Sequence, residues 1–216
     1  MWYWFACVSV ALLLRLLARL EIRGLENFPL HGPAILVANH IHLFDPPVLG
    51  AVLPRVIIFL AKRELFHTPV LNWIVSHYKA LPLRRGEPDR QALRRALVVL
   101  RNGGVIGIFP EGTRSRTGAL QRGQPGVVYL AARSGAPIVP VAIEGTDRFQ
   151  FPALWRRPLV RISIGRPFTL PAELLRRDRW AEATDFIMLR LAALLPPERR
   201  GVYAPALVGD SAHLVR

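Results

Sequence analysis

The sequence predicts a single α/β domain, a mostly parallel or mixed central sheet flanked by helices and preceded by an N-terminal apolar helix of the membrane-anchor type. Three observations carry that expectation. Short apolar runs at 34–38, 56–60, 105–109 and 138–143, with a further run at 159–164, read as strands of a buried sheet. Segments with helical spacing separate most of them. A length of 216 residues with 51% hydrophobic content suits one substantial core and is too short for two ordinary domains with a linker.

The N-terminal element comes first. Residues 1–14 carry no charge, and Arg15 and Arg19 then interrupt a continuing apolar pattern. The run is shorter than the roughly 18 to 20 residues of a spanning helix, although a snorkelling Arg15 would extend it. Trp2, Tyr3 and Trp4 at one end and Arg15, Arg19 and Arg23 at the other match interfacial aromatics and a basic cytoplasmic flank. The cations follow the apolar stretch instead of preceding it, which argues against a cleaved signal peptide. A helix buried in the domain core is the competing reading. Cys7 is the only cysteine, so one chain can build no disulfide, zinc finger or redox pair.

Residues 21–29 alternate and then turn at Gly24 and Pro29, predicting a short edge strand and a loop. The strand at 34–38 ends in Asn39-His40-Ile41-His42-Leu43-Phe44-Asp45, and a short helix follows from Pro46 to about Val52. Lys62 and Arg63 sit just past the strand at 56–60. Residues 69–78 have helical spacing, and 81–86 reads as a short strand running into a basic turn with Arg84 and Arg85. From Asp89 to Arg101 the pattern is amphipathic, with Leu93, Leu97 and Leu100 inward and Arg90, Arg94, Arg95 and Arg101 outward. Asn102-Gly103-Gly104 stops that helix. The strand at 105–109 runs directly into Pro110-Glu111-Gly112-Thr113-Arg114-Ser115. A helix at 125–134, strands at 138–143 and 159–164, and a long final helix at 172–195 complete the alternation. The predicted boundaries are a membrane-associated helix at 1–20, the domain at 21–195 and a tail at 196–216.

Polar clusters therefore follow three different strands, and in α/β sheets ligands collect outside the carboxyl ends of strands. His40 and Asp45 are five positions apart. A helix would leave them roughly 140° apart around its axis and a strand would put them on opposite faces, so they meet only across a turn. Asp before Pro46 supplies one, as a helix start.

The formal charge of +14 is almost wholly arginine, since only Lys62 and Lys79 among the 29 basic residues are lysine. Such an excess favours an anionic partner: a phospholipid surface, a phosphorylated substrate, an acidic carrier or nucleic acid. No segment resembles a nucleic-acid module, and none is expected as a partner.

The segments Asn-His-x-x-x-x-Asp, Phe-Pro-Glu-Gly-Thr-Arg-Ser and Ile-Val-Pro-Val-Ala-Ile, in that order and between about Arg23 and Arg166, resemble the glycerolipid acyltransferases. The likeness is to the 1-acyl-sn-glycerol-3-phosphate (lysophosphatidic acid) acyltransferase branch in particular. It implies acyl transfer from acyl-CoA or acyl carrier protein to a lysophospholipid at the cytoplasmic face of the plasma (inner) membrane, without a cofactor. It assigns His40 as the base for the acceptor hydroxyl and Asp45 as its orienting partner, roles that such chemistry requires in any case. Arg114 is then the candidate for the acceptor phosphate, because a guanidinium fork matches a phosphomonoester. Glu111 orients Arg114 or meets the acceptor's glycerol hydroxyls, and Gly112 allows close backbone approach. Thr113, Lys62 and Arg85 line the same pocket by similarity. Backbone N–H groups at the helix start after Asp45 are candidates for the oxyanion.

One position departs from the family pattern. A small hydroxyl residue is common two places after the catalytic histidine, and here His42 stands there. His42 could tune His40, or His40, His42 and Asp45 could hold a zinc or iron ion for hydrolysis. The remaining alternatives are an acyltransferase for glycerol-3-phosphate, another lysophospholipid or a lyso-aminolipid, and a non-catalytic basic membrane-binding protein.

Overall fold

The structure, a computed structural model, describes residues 2–84, 89–149 and 156–207. Its elements in chain order are α1 (Trp2–Leu17), β1 (Arg19–Arg23), β2 (Ala34–Ala38), α2 (Asp45–Val52), β3 (Ile57–Lys62), α3 (Pro69–His77), β4 (Leu81–Leu83), α4 (Arg90–Arg101), β5 (Val105–Ile108), α5 (Gly126–Ser134), β6 (Ile138–Glu144), β7 (Leu159–Ile164) and α6 (Trp180–Ala192). The seven strands form one mixed sheet in the order β1-β7-β6-β2-β5-β3-β4. From β6 to β4 all neighbours are parallel; β7 pairs antiparallel to β6, and β1 pairs parallel to β7. The carboxyl ends of β3, β5, β2 and β6 therefore share one edge. β1 lies at the opposite border of the sheet, as an edge strand should.

Strand alternation divides the core in two. Ile35, Val37, Ile106 and Ile138 pack with α4, α5 and α6 on one face, while Ala34, Leu36, Val105 and Val139 pack with Leu14 of α1 and Val48 and Leu49 of α2 on the other. Every residue of β2 is buried, which is why it reads in the sequence as an unbroken apolar run. Asp89 caps α4, its carboxylate accepting from Ala92 N at 3.0 Å.

Three expectations change. The final helix begins at Trp180; residues 172–179 form short 3-10 turns that bury Leu174 and let Trp180 Nε1 donate to Leu175 O at 3.1 Å. The stretch expected as a tail is, through Leu207, a series of 3-10 turns that place Tyr203 and Leu207 in the core. Single anchors on irregular backbone leave no periodic signature, so that packing was invisible in the pattern.

The third concerns α1. Among the described residues no helix is long and apolar enough to cross a membrane, and α1 has 16 residues. One stripe, Tyr3, Cys7 and Leu14, is buried against the domain, and Tyr3 Oη accepts from Ile57 N at 3.1 Å. The opposite stripe, including Trp2, Phe5, Val8, Leu12 and Leu16, is exposed. Apart from Ser9 and Arg15 the exposed side of the helix is as apolar as the buried one, and it is covered on one side only.

Candidate active site

The strand end of β2 holds the site together. Asn39 extends the ladder with its side chain, donating from Nδ2 to Ile143 O at 2.8 Å and accepting from Ile143 N at Oδ1 at 2.7 Å. That fixes the direction in which His40 leaves the sheet. The chain then turns, and Asp45, fully buried in the first turn of α2, points its carboxylate back into the turn. Asp45 Oδ2 meets His40 Nδ1 at 2.8 Å and accepts from Ile41 N and His42 N, also at 2.8 Å each. His40 and Asp45 thus meet across the turn that their spacing demands. The His40 ring stacks on Phe109, with centroids 4.2 Å apart, and Phe109 stacks in turn on Phe59.

Glu111 arrives from the end of β5. It is buried, and both of its oxygens are committed to backbone donors: Oε1 accepts from His40 N at 2.8 Å and Oε2 from Gln121 N at 3.0 Å. Burial pushes its carboxyl up to about 7, against the opposing pull of those N–H groups. Ser115 N closes the loop by donating to His40 O at 2.8 Å. Glu111 therefore grips the backbone of His40; it faces neither Arg114 nor a free acceptor position.

Arg114 and Thr113 are exposed, and among the described residues the Arg114 guanidinium has no hydrogen-bond or ion-pair partner. Gly112 has φ 72°, a backbone state that favours glycine, and its N–H donates to Phe109 O at 3.1 Å. Lys62, the last residue of β3, is exposed and pairs with Glu64 at 3.5 Å. Arg85 lies outside the described residues.

His42 is half-buried beside Phe44 and edge-on to Phe149. Burial holds its pKa below the usual histidine range, against the charge of Asp45. A metal site from His40, His42 and Asp45 finds no support in this arrangement: Asp45 Oδ2 already has three partners, and among the described residues no three His, Cys, Asp or Glu side chains gather as an ion would require. The oxyanion donors expected after Asp45 are also absent there. Pro46 and Pro47 have no N–H, and Val48 N is spent on Phe44 O at 2.9 Å.

Sequence reasoning missed several supports. Thr146, just past β6, donates from Oγ1 to Asp45 Oδ1 at 2.6 Å. Gln121 shares Glu111. The C-terminal turns brace the 110–125 loop: Leu120 N donates to Arg199 O at 2.9 Å, Gly123 N to Tyr203 Oη at 3.1 Å, and Arg199 pairs with Asp147 at 2.7 Å.

Comparison with known proteins points the same way. The sequence profile of the Acyltransferase family matches residues 19–144. A chloroplastic 1-acyl-sn-glycerol-3-phosphate acyltransferase of Brassica napus is 32% identical over 177 residues, covering 77% of this chain and 51% of its own length. A lyso-ornithine lipid O-acyltransferase of Pseudomonas aeruginosa is 34% identical over 142 residues, covering 65% of this chain and 52% of its own. The chain spans about half the length of both. The crystal structure of PlsC, the 1-acyl-sn-glycerophosphate (LPA) acyltransferase of Thermotoga maritima, superposes with a TM-score of 0.62 at 28% identity, covering 82% of this chain and 76% of that one.

Proposed function

The chain belongs to the Acyltransferase family, and from that premise we propose that it transfers an acyl group from a thioester, acyl-CoA or acyl carrier protein, to the free hydroxyl of lysophosphatidic acid, giving phosphatidic acid. The observation that carries this reading is the buried His40–Asp45 pair at the carboxyl edge of the parallel strands, with an unpartnered Arg114 at the same edge.

With Nδ1 directed at Asp45, the basic atom of the ring is Nε2. It takes the proton from the acceptor hydroxyl as that oxygen forms its bond to the thioester carbonyl carbon. Asp45 stabilises the resulting imidazolium. The tetrahedral intermediate collapses by breaking the C–S bond, and the imidazolium returns its proton to the departing thiolate. The acyl group never resides on the enzyme, and the thioester brings all the activation the reaction needs, so no cofactor is required. Arg114 holds the acceptor phosphate by charge-assisted hydrogen bonds, with Gly112 and Thr113 beside it and Lys62 and Arg85 adding positive charge.

The substrates also suggest where the enzyme works. An acceptor with a long acyl chain resides in a bilayer, and the uncovered apolar stripe of α1, with Trp2 and Phe5 exposed, suits the headgroup boundary of a membrane. The arginine excess favours an anionic leaflet, as at the cytoplasmic face of the inner membrane.

The P. aeruginosa relative favours a second acceptor class, a lyso-aminolipid without the phosphomonoester. A panel of lyso-acceptors offered with one labelled acyl-CoA separates the two readings. Lysophosphatidic acid is expected to be acylated fastest; preference for a phosphate-free acceptor would overturn the first reading. His40→Ala should lower turnover by about 10²- to 10⁴-fold while the protein still sediments with vesicles. Unchanged turnover would remove His40 from its role.

A further inference from the structure

The His40 turn satisfies one oxygen of Asp45 and leaves the other to a different part of the chain. Oδ2 takes His40 Nδ1, Ile41 N and His42 N, all at 2.8 Å. Oδ1 takes the hydroxyl of Thr146 at 2.6 Å. Thr146 is fully buried and lies beyond residues 19–144, the span matched by the family profile. Rotation about the Cβ–Cγ bond of Asp45 would carry Oδ2 away from its three donors, and a short charge-assisted bond to the second oxygen opposes the same rotation from the other side of the group.

The hydroxyl is itself firmly placed. Gly145, with φ 86°, turns the chain so tightly that a Cβ there would sit 2.0 Å from Leu159 O. Arg148 N donates to Gly145 O at 3.1 Å and Phe149 N to Thr146 O at 3.0 Å, closing the turn around the residue. Asp147 then pairs with Arg199 at 2.7 Å and ties the turn to the C-terminal segment.

We infer that Thr146 is a positioning residue for the reaction: its hydroxyl completes the hold on the Asp45 carboxylate and, through it, steadies the orientation of the His40 ring. The inference rests on the acyl-transfer reading for its consequence and on geometry alone for its cause.

The test compares Thr146→Val, which keeps the shape and deletes the hydroxyl, with Thr146→Ser, which keeps the hydroxyl. At a temperature well below the melting point of each variant, Thr146→Val is expected to lower kcat on the order of 10- to 100-fold with KM within about twofold, and Thr146→Ser to stay close to the parent. A kcat for the valine variant within about twofold of the parent, or a serine variant as impaired as the valine one, would overturn the inference. Should the valine variant fail to fold, Thr146→Ala against Thr146→Ser makes the same comparison. A second readout needs no substrate: the NMR signal of the His40 Nδ1 proton should persist in the parent and the serine variant and broaden or shift in the valine or alanine variant. An unaltered signal would overturn the inference even if no acceptor is turned over. A proton signal that behaves as expected in a protein that acylates no lysolipid would instead count against the proposed substrate.

Discussion

The tripeptide Glu-Gly-Thr occurs twice in this chain, at 111–113 after β5 and at 144–146, beginning on the last residue of β6, and the two copies are used in opposite senses. In the first, the glutamate is buried under His40 and the threonine is exposed. In the second, the glutamate is only half-buried, pairing with Arg161 at 3.6 Å, and the threonine is sealed against Asp45. Both glycines have positive φ, 72° and 86°, so the tight turn is common to both. What differs is where the strand stops. β6 continues through Glu144, which pairs with Arg161 of β7, whereas β5 ends at Ile108 and two further residues precede Glu111. The same two side chains, glutamate and threonine, thus serve either the inside or the outside of the site, and strand register decides which.

The largest expected effect would break the first copy. In Glu111→Gln an amide offers one acceptor where the carboxylate offered two, so either His40 N–H or Gln121 N–H faces an NH2 group; kcat should fall roughly 100-fold. The same variant changes the pH dependence of stability. Because the Glu111 carboxyl is raised from 4.5 to about 7 in the fold, the folded chain keeps a proton that the unfolded chain releases between those values. The parent should therefore lose stability as pH rises through that window, by up to about 3 kcal/mol, with the loss complete above about pH 7. Chemical denaturation at a series of pH values should show that slope in the parent and not in Glu111→Gln. Equal slopes would mean that Glu111 titrates normally.

Next comes the exposed neighbour of the first copy. Arg114→Ala should raise KM for a phosphorylated acceptor about tenfold and leave kcat nearly unchanged, because the guanidinium is free to bind and takes no part in holding the turn. A fall in kcat with constant KM would place Arg114 in the chemistry instead. The smallest effects sharpen the contrast: Glu144→Gln, at a partly exposed ion pair, should cost no more than about 1 kcal/mol in denaturant titration, and Thr113→Val should be silent there. Swapped outcomes for Thr113 and Thr146 would refute the opposite roles of the two copies.

Much of the frame was legible in the sequence because parallel strands buried on both faces leave continuous apolar runs, and β2, β5 and β6 fall within a residue or so of where those runs lie. The meeting of His40 and Asp45 was legible for a different reason: a separation of five admits a turn and excludes a regular element. Glu111 was visible as a motif residue, but its partners were not, since a backbone N–H carries no signature and His40 N lies 71 positions away. Thr146 left one faint signal, the second Glu-Gly-Thr, which means nothing until the register of β6 is known. The lack of backbone donors at positions 46 and 47 was legible in the sequence, because proline carries no N–H. α1 was ambiguous for a physical reason, since a helix with apolar residues on nearly every side matches both a buried element and a membrane-facing one.

The C-terminal turns have a consequence for biosynthesis. Residues 110–125 carry Glu111 and Arg114, yet part of their bracing comes from Arg199 O and Tyr203 Oη, nearly at the end of the described chain. A nascent polypeptide emerging from the ribosome would contain the His40–Asp45 pair and every strand long before those braces exist. A chain halted short of residue 199 would hold the His40–Asp45 pair without these braces on the loop that carries Glu111.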